Sequence, residues 1–344
     1  MHAVTMRQYG GVEVLAYEEV PDPEVKQGEV LVRVEAAALN HLDIDLRQGT
    51  SRLPLELPHV LGCEGVGRVQ ETSAEAAAHW SPGDRVMILE EVTCGRCTWC
   101  QLGFQNRCDD TSWIGVGRQG TYAELIAVPA DGLLPLPETR SAEEWAAVQG
   151  ALGTAWHVLM TRGRLRAGEL VLINAVGSGV GSAALLVSLF AGARVIVTAG
   201  SAAKLERARD LGAEDGIDYT TAELSSAVLE ATGGRRVDLI FDHVGGTVLL
   251  ESLKVLRPGG RLVTCGAHAG ETIPLDIVEL FRSEVSLIGS RACTPSELRT
   301  VVELVASERL DPVLDSSFPL RDVQAAHGRM ERREHFGKII LRTA

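Results

Sequence analysis

Residues 169–193, ELVLINAVGSGVGSAALLVSLFAGA, join an apolar run to a glycine-rich turn and then to a helix-like segment. A nearly continuous apolar run such as residues 169–176 is typical of a strand that is buried on both faces of a parallel sheet. Further apolar runs follow at residues 194–199, 237–241, 260–265 and 285–289. Helix-like segments such as residues 203–213 lie between them. This alternation predicts the α/β class and a doubly wound parallel sheet.

The turn between the first strand and its helix has the composition of a dinucleotide-binding turn. Glycines there let backbone N–H groups approach a pyrophosphate at the positive end of a helix. The spacing departs from G-x-G-x-x-G, because Ser182 stands where the third glycine would follow Gly177 and Gly179. A plain tight turn is the alternative, but the strand–turn–helix context favours nucleotide binding. The candidate cofactor contacts are Gly177, Ser178, Gly179, Val180 and Gly181.

The end of the second strand indicates which dinucleotide is preferred. An NAD-binding unit usually has an acidic residue there that holds the ribose 2′-hydroxyl. This chain has TAGS at residues 198–201 instead, and Ser201 and Lys204 offer a hydroxyl and an ammonium to a 2′-phosphate. Lysine is scarce, with four lysines against 29 arginines. We therefore expect NADP as cofactor, with NAD tolerated. The less favoured alternative is that Lys204 is a solvated residue on a helix face.

Residues 94–108, CGRCTWCQLGFQNRC, contain Cys94, Cys97, Cys100 and Cys108. Their C-x2-C-x2-C-x7-C spacing brings four thiolates within reach of one tetrahedral ion, which is typical of a closed structural zinc site without an open position for chemistry. A ferredoxin-type cluster would need its fourth cysteine after about three residues, followed by proline, whereas Asp109 follows here. Disulfides, a thioredoxin-like pair or a chance cluster are the other interpretations. Structural zinc is the prediction.

The bulk composition excludes several classes of partner. The 344 residues suffice for two domains, and the net charge of −13 argues against nucleic acid or an anionic membrane. The N-terminal residues lack the apolar segment of a signal peptide. The longest apolar stretch, residues 183–197, is interrupted by Ser188 and Arg194 and is too short to span a bilayer. Seven cysteines, an odd number, are compatible with a reducing compartment. These features predict a cytoplasmic protein.

The first 130 residues are predicted to form a compact β-barrel-like unit. Short strand-like runs occur at residues 29–35, 65–70 and 85–90, with frequent Gly and Pro between them. A helical segment follows Asn40, in which Asp43 and Arg47 lie four residues apart and could pair. Ser141 and Glu144 have the spacing of a capping box at the start of another helix.

In their order and spacing, these motifs resemble the medium-chain dehydrogenase/reductase superfamily, the zinc alcohol dehydrogenases and their quinone-reductase relatives. Besides the cysteines and the glycine turn, the resemblance rests on AALNHLD (37–43), LGCEGVGRV (61–69), PGDRV (82–86), GTYAEL (120–125), LGTAW (152–156), DHVGG (242–246) and GGRLV (259–263). It implies a GroES-like β-barrel catalytic domain at residues 1–150 with a zinc lobe at 91–110. A Rossmann nucleotide-binding domain at 151–290 and a C-terminal return to the catalytic domain at 291–344 would follow.

The chain departs from the alcohol dehydrogenases at their second, catalytic zinc. Those enzymes bind it through a cysteine, a histidine and a further cysteine or acid. Here Asn40 stands at the first position, Cys63 at the second, ahead of the usual acid Glu64, and Gly150 at the third. The form A-L-N-x-x-D at residues 38–43 is instead similar to zinc-free quinone and enone reductases. Cys63 is then interpreted as a small buried thiol.

The resemblance implies roles for several further residues. Asn40 would position the substrate or a water, or else cap the backbone, and Thr154 would pack on the nicotinamide. His41 would contact the pyrophosphate, unless it is a surface histidine. Tyr219 would lie near the 2′-phosphate, unless it only packs against its neighbours. A homodimer formed through the Rossmann domains is expected.

We therefore expect NADPH-dependent reduction of a quinone or an α,β-unsaturated carbonyl without catalytic zinc, since hydrogen-bond donors must then stabilise the developing negative charge. One alternative is an alcohol dehydrogenase with an atypical catalytic zinc, bound by Cys63, Glu64 and either Asp43 or His59. The other is an NADPH-binding redox sensor without turnover. The substrate would be a small carbonyl, quinone or alcohol.

Overall fold

The computed structural model describes residues 1–343, which form two compact units. The first unit contains Met1–Gly150, Thr294–Ala306 and the chain from Leu314 onward. The second unit contains Ala151–Cys293 and Ser307–Val313. The boundaries predicted from the sequence, after residues 150 and 290, do not separate the short segment Ser307–Val313 from the C-terminal part.

The secondary structure covers both units. The strands are β1 (His2–Met6), β2 (Ala16–Glu19), β3 (Glu29–Ala38), β4 (His59–Val60), β5 (Gly65–Thr72), β6 (Arg85–Ile88), β7 (Glu91–Val92), β8 (Ser112–Trp113), β9 (Leu125–Pro129), β10 (Leu133–Pro135), β11 (Leu170–Ile173), β12 (Arg194–Ala199), β13 (Asp215–Asp218), β14 (Val237–Asp242), β15 (Leu256–Thr264), β16 (Ser286–Gly289), β17 (Leu314–Pro319) and β18 (Lys338–Arg342). The α-helices are α1 (His41–Gln48), α2 (Thr98–Gln101), α3 (Ala142–Ala146), α4 (Thr154–Trp156), α5 (Gly179–Phe190), α6 (Ala202–Asp210), α7 (Leu224–Ala231), α8 (Gly246–Lys254), α9 (Ile277–Arg282), α10 (Pro295–Ala306) and α11 (Val323–Glu331).

The long strand β3 organises the first unit. Its sequence EVLVRVEAAA is buried along most of its length, because its side chains pack into the apolar clusters on the faces of the sheet. It pairs antiparallel with β5, β9 and β18, in a sheet whose strand order is β10-β6-β5-β3-β18-β17. Strands β2, β1 and β4 form a second sheet. The C-terminal strand β18 therefore lies beside residues from the start of the chain.

Two apolar clusters hold the first unit together. One lies between β1, α1, α11 and β18 and includes Met6, Leu46, Tyr122 and Ile339. The other fills the space enclosed by β3, β5, β6 and β9 and includes Val32, Val69, Ile88 and Ile126. Helix α11 thus anchors the C-terminal segment on the N-terminal sheet, since burial of such side chains stabilises by about 1.5–3 kcal/mol each.

The second unit is a parallel sheet with strand order β13-β12-β11-β14-β15-β16. Every neighbouring pair in it is parallel. The residues of β11, LVLI, are all buried, as the apolar run predicted. The strand order reverses between β11 and β14, and ligands of such sheets bind at the carboxyl ends of the strands at this switch point. The predicted fold class, a GroES-like unit and a Rossmann-type parallel sheet, is confirmed.

Local predictions had mixed outcomes. The capping box is present: Glu144 N donates to Ser141 Oγ at 3.2 Å, and Ser141 N donates to Glu144 Oε2 at 2.8 Å. The pairing of Asp43 with Arg47 is wrong. Arg47 is fully buried and contacts Glu331 and His327 of α11, whereas the Asp43 carboxylate accepts from Asn40 N, Gly62 N and the Tyr122 hydroxyl. The two side chains therefore contact different neighbours.

Among residues 1–343, no helix is both long and apolar enough to cross a membrane.

Candidate functional site

The four cysteines of residues 94–108 converge in the first unit. Their Sγ atoms all lie within 4.8 Å of one another, a separation suited to one shared ion. Backbone N–H groups already point at the sulfurs: Cys97 N donates to Cys94 Sγ at 3.3 Å, and Cys94 N and Asp110 N donate to Cys108 Sγ at 3.3 and 3.4 Å. Short turns around α2 produce this arrangement. The donor set fits a tetrahedral zinc ion held by Cys94, Cys97, Cys100 and Cys108.

The thiols of this lobe have different proton affinities. Backbone N–H groups of Asp109 and Cys100 lower the pKa of Cys97 to about 6, while burial raises the pKa of Cys100 to about 12. Because only thiolates bind metal well, zinc must displace the proton from Cys100. Arg107 stacks over Phe104, with 4.7 Å from its guanidinium carbon to the ring centroid.

A second polar cluster, the Glu64 cluster, consists of Asn40, Cys63, Glu64, Gly150 and Lys338. Glu64 Oε1 accepts hydrogen bonds from Lys338 Nζ and, at 2.9 Å, from Asn40 Nδ2. Glu64 Oε2 accepts from Gly150 N at 2.6 Å. The side chains of Lys338 and Glu64 are 5% and 1% exposed, so the ion pair is withdrawn from water. Buried charges are tolerated when paired and hydrogen-bonded in this way.

The same cluster fixes the orientation of the Asn40 amide. Lys338 Nζ donates to Asn40 Oδ1 at 2.8 Å. This leaves Nδ2 to donate to Glu64, and at longer distances to Cys63 Sγ (3.3 Å) and the Ala38 carbonyl oxygen (3.4 Å). Burial raises the pKa of the Cys63 thiol well above its usual value, and the nearby carboxylate of Asp43 adds to this. Cys63 is therefore a neutral thiol and a weak acceptor for the Asn40 amide.

Asp43 holds the backbone on either side of this cluster. Its Oδ2 accepts from Asn40 N at 2.8 Å and from the Tyr122 hydroxyl at 2.9 Å. Its Oδ1 accepts from Gly62 N at 3.2 Å. Burial raises the pKa of Asp43 to about 6, although these donors oppose the effect. Asp43 thus ties the first turn of α1 to the residue that precedes Cys63.

The Glu64 cluster does not fit a catalytic zinc ion. Within residues 1–343, neither Cys63 nor Glu64 belongs to any set of three or more His, Cys, Asp or Glu donors close enough to share an ion. A Cβ atom on Gly150 would lie 2.7 Å from Glu64 Oε1, so a ligand side chain at this position would collide with the paired carboxylate. Among these residues Asp43 and His59 belong to no such set either. The Asp43 carboxylate instead accepts hydrogen bonds from Asn40 N and Gly62 N. The arrangement supplies hydrogen bonds rather than a metal coordination sphere.

In the second unit, the glycine turn of residues 175–182 leads from β11 into α5. Ser178 caps the helix: its Oγ accepts from Gly181 N at 2.9 Å. Thr198 of β12 anchors the turn by accepting from Ala175 N at 2.9 Å through Oγ1. A Cβ atom on Gly181 would lie 2.6 Å from the carbonyl oxygen of Ala175, so only glycine permits this close turn. The remaining N–H groups at the start of α5 suit an anion.

Lys204 lies over this turn. A Cβ atom on Gly177 would be 2.8 Å from Lys204 Cδ and 3.3 Å from its Nζ, so the absence of a side chain at residue 177 makes room for the lysine. Ser201 is the N-cap residue of α6, one helical turn before Lys204. The Tyr219 hydroxyl packs on Gly200, where an added Cβ would lie 2.8 Å away. Lys204, Ser201 and Tyr219 thus gather at the carboxyl end of β12.

His41 and Thr154 are the two remaining residues of the predicted site. His41 is the first residue of α1, and its Nε2 lies 3.9 Å from Asp45 Oδ1. Burial lowers the pKa of His41, which favours the neutral imidazole. Thr154 is half-buried at the first residue of α4.

Sequence reasoning missed several residues of these sites. Lys338 could have been recognised as unusual from the sequence, because it is one of four lysines and lies in an apolar strand, KIILR. Nothing in the sequence distinguishes Tyr122 or Thr198 except that they lie in a motif or a strand. His243 lies within the quoted motif DHVGG, yet no role was assigned to it; its Nε2 lies 2.9 Å from Ser178 Oγ.

Comparison with known proteins identifies the family. The model of the alcohol dehydrogenase GroES-like domain matches residues 26–138, and that of the zinc-binding dehydrogenase matches residues 179–307. An alcohol dehydrogenase from Geobacillus stearothermophilus is 28% identical, covering 99% of each chain. An acryloyl-coenzyme A reductase from Metallosphaera sedula is 29% identical over 94% of this chain and 95% of its own. A crystal structure of an NAD-dependent alcohol dehydrogenase matches with a TM-score of 0.93 and 38% identity over 100% of both chains.

These similarities extend over both units and agree with the parallel sheet, the glycine turn and the four-cysteine lobe described above. The named relatives are oxidoreductases. The chain therefore belongs to the medium-chain dehydrogenase/reductase superfamily and is an NAD(P)-dependent oxidoreductase.

Proposed function

We propose that this protein uses NADPH to reduce a conjugated carbonyl compound, a quinone or an α,β-unsaturated carbonyl, without a catalytic zinc ion. The observation that carries the proposal is the Glu64 cluster. Three of the positions that would bind zinc are Asn40, Cys63 and Gly150, and the carboxylate beside them is already paired with Lys338. The charges of Glu64 and Lys338 cancel, and the Glu64 cluster does not offer the thiolate and imidazole ligands that zinc prefers.

The cofactor would supply hydride from the nicotinamide ring. The turn at residues 175–182 would hold its pyrophosphate through backbone N–H groups. Lys204 supports the preference for NADPH, because its ammonium lies beside Gly177 and would attract a 2′-phosphate. Ser201 and Tyr219 would complete the contacts at the end of β12, and His41 would contact the pyrophosphate. Thr154 would pack on the nicotinamide.

Asn40 is the proposed contact with the substrate oxygen. One of its amide protons is directed at Glu64, and the other has only long contacts, from Nδ2 to Cys63 Sγ at 3.3 Å and to the Ala38 carbonyl oxygen at 3.4 Å. A substrate oxygen at a shorter distance could replace these long contacts as partner of that proton. Lys338 prevents the amide from flipping, because Oδ1 accepts its hydrogen bond. A single neutral donor suits a substrate whose negative charge is delocalised over a conjugated system.

The zinc ion of the four-cysteine lobe would have a structural role in this proposal. Four sulfur ligands leave no open position for a substrate. Zinc there would hold residues 94–108 together, where α2 is only four residues long. Thiolate ligands also require reducing conditions, consistent with the expected cytoplasmic location.

A second candidate function is alcohol oxidation with an atypical catalytic zinc. It is favoured by the similarity to proteins named alcohol dehydrogenases. Zinc analysis of the purified protein separates the two candidates. About one zinc ion per chain agrees with the metal-free mechanism, whereas about two would contradict it.

The reaction itself is tested by the oxidation of NADPH with a substrate panel. Quinones, enones and α,β-unsaturated thioesters are compared with simple aldehydes, and primary and secondary alcohols are tested with NADP. The similarity to an acryloyl-coenzyme A reductase is the reason for including thioesters. We expect turnover with the conjugated acceptors. Turnover of alcohols alone would overturn the proposal, and tight NADPH binding without any turnover would favour a redox sensor.

We also propose a homodimer formed through the second unit. Strand β16 stands at the end of the strand order, and apolar side chains near it are exposed. Ile277 and Phe281 of α9 are 59% and 63% exposed, and Leu287 of β16 is 37% exposed. A second copy of the same edge could pair with it antiparallel about a two-fold axis.

A further inference from the structure

His243 lies at the glycine turn, at the point where the strand order of the second unit reverses. It follows Asp242, the last residue of β14, and β14 is the parallel neighbour of β11. Its side chain is directed at the turn rather than at the sheet, with Nε2 2.9 Å from Ser178 Oγ. His243 is 7% exposed, so its ring is held in this place by its surroundings.

The position of His243 is rigidly determined by its neighbour. Asp242 Oδ2 accepts hydrogen bonds from Gly245 N at 3.1 Å and from Thr264 Oγ1 at 3.2 Å, and Oδ1 accepts from Asn174 Nδ2 at 3.0 Å. These bonds join the carboxyl ends of β11, β14 and β15. The backbone that carries His243 is therefore fixed relative to the turn that follows β11.

The contact with Ser178 restricts where the serine proton can point. A hydroxyl has one proton to donate and two lone pairs that accept. One lone pair of Ser178 Oγ accepts from Gly181 N. If His243 Nε2 carries a proton, it fills the second lone pair, and the hydroxyl proton is then free to point away from both groups. If Nε2 lacks a proton, Ser178 must donate to it.

We propose that His243 is a cofactor-positioning residue, which donates from Nε2 to Ser178 and so directs the Ser178 hydroxyl at the pyrophosphate. This inference rests on the proposed dinucleotide site. An anion at the start of α5 attracts the hydroxyl proton, and it therefore favours the form of His243 that is protonated on Nε2. Binding of the cofactor and protonation of this nitrogen are coupled through one hydroxyl group.

A double-mutant cycle tests the inference. NADPH dissociation constants are measured by fluorescence titration for the wild type, Ser178→Ala, His243→Phe and the double variant. Each single substitution is expected to weaken binding about tenfold, since each removes a hydrogen bond that supports a charged group. In the Ser178→Ala background, His243→Phe should add less than about twofold, because His243 acts through the serine. An equal loss in both backgrounds would overturn the proposal.

Two further measurements keep the test independent of folding. His243→Gln retains a donor nitrogen and should restore affinity to within about threefold of the wild type. Nitrogen NMR of the imidazoles at constant pH should show Nε2 of His243 protonated in the NADPH complex, and a bare Nε2 there would contradict the inference. If the wild type binds neither NADPH nor NADH, the dinucleotide site itself fails. If it binds NADPH but Ser178→Ala is unaffected, only the role of His243 fails.

Discussion

Lys338 and Glu64 form a buried ion pair although 274 residues separate them in the chain. Strand β18 brings the lysine to β3, and Glu64 lies directly before β5 on the other side of β3. The pair lies beside Asn40, Cys63 and Gly150, the positions to which the resemblance assigns the ligands of a catalytic zinc. Its geometry explains why Asn40 and Gly150 face the same carboxylate.

Replacement of Lys338 by Met should destabilise the fold. Glu64 would remain buried without its counter-charge, which costs about 3–5 kcal/mol of unfolding free energy. Urea denaturation measures this. The double variant Lys338→Met/Glu64→Gln should recover most of the loss, because no unpaired charge remains. A single variant within about 1 kcal/mol of the wild type would show that the pair is not buried in solution.

Asp43 should make stability depend on pH in a particular direction. Burial raises its pKa from 3.8 to about 6, so the folded state binds more protons than the unfolded state between these values. The contribution is therefore present in full below about pH 4 and is lost as the pH rises through about 6. Relative to Asp43→Asn, the wild type should lose up to about 3 kcal/mol between pH 4 and 7.

Asp238 provides the opposite control for this experiment. Its pKa is lowered although burial opposes the change, because Leu170 N and Arg257 donate to its carboxylate. The stability that Asp238 contributes is present above its unfolded pKa and is lost as the pH falls. Asp238→Asn should therefore give a difference of opposite sign that develops below about pH 4, with little change between pH 4 and 7, where Asp43→Asn shows its effect. Parallel curves for both variants would refute the assigned pKa of Asp43.

Loss of one lobe cysteine should remove the structural zinc. Cys97→Ser leaves three sulfur ligands, and the zinc content measured by atomic emission should fall from about one per chain to nearly none. Thermal unfolding should occur at a lower temperature, since metal binding contributes directly to folding. Cys293→Ser, a cysteine of the second unit, serves as the control and should retain the metal.

Lys204→Ala should change the choice between cofactors. The affinity for NADPH is expected to fall about tenfold, whereas that for NADH should stay within about twofold, because only NADPH has the 2′-phosphate. Dissociation constants for both cofactors measure this. Lys254→Ala is the matched control, since Lys254 is an exposed lysine of α8 that pairs with Glu251. An unchanged ratio for Lys204→Ala would remove the basis for preferring NADPH.

A charge at the exposed edge of the second unit should separate the proposed dimer. Leu287→Asp places a carboxylate on β16, where two copies would bring like charges together. Sedimentation velocity should then show monomers. Leu102→Asp alters an apolar side chain that is 62% exposed in the first unit, and it should leave the dimer intact. A wild type that is already monomeric would contradict the proposal.

The local features of the fold were predictable because they repeat within short windows. The buried strands β11, β12 and β14 follow from apolar runs, and the capping box at Ser141 follows from a three-residue spacing. Contacts between side chains on the same helix were predicted less reliably. Arg47 was expected to contact Asp43, but α11 offers it Glu331 and a buried environment. Tertiary packing decided which partner the arginine contacts.

The candidate sites divide in the same way. By itself the sequence determined the parallel sheet, the turn at Gly177–Gly181 and the four-cysteine lobe, because periodic burial and metal-ligand spacing are properties of neighbouring residues. Only the tertiary structure decided that Lys338 neutralises Glu64 and that His243 meets Ser178. These partners lie far apart in the chain, and strand order alone brings their charges and hydrogen-bonding atoms together.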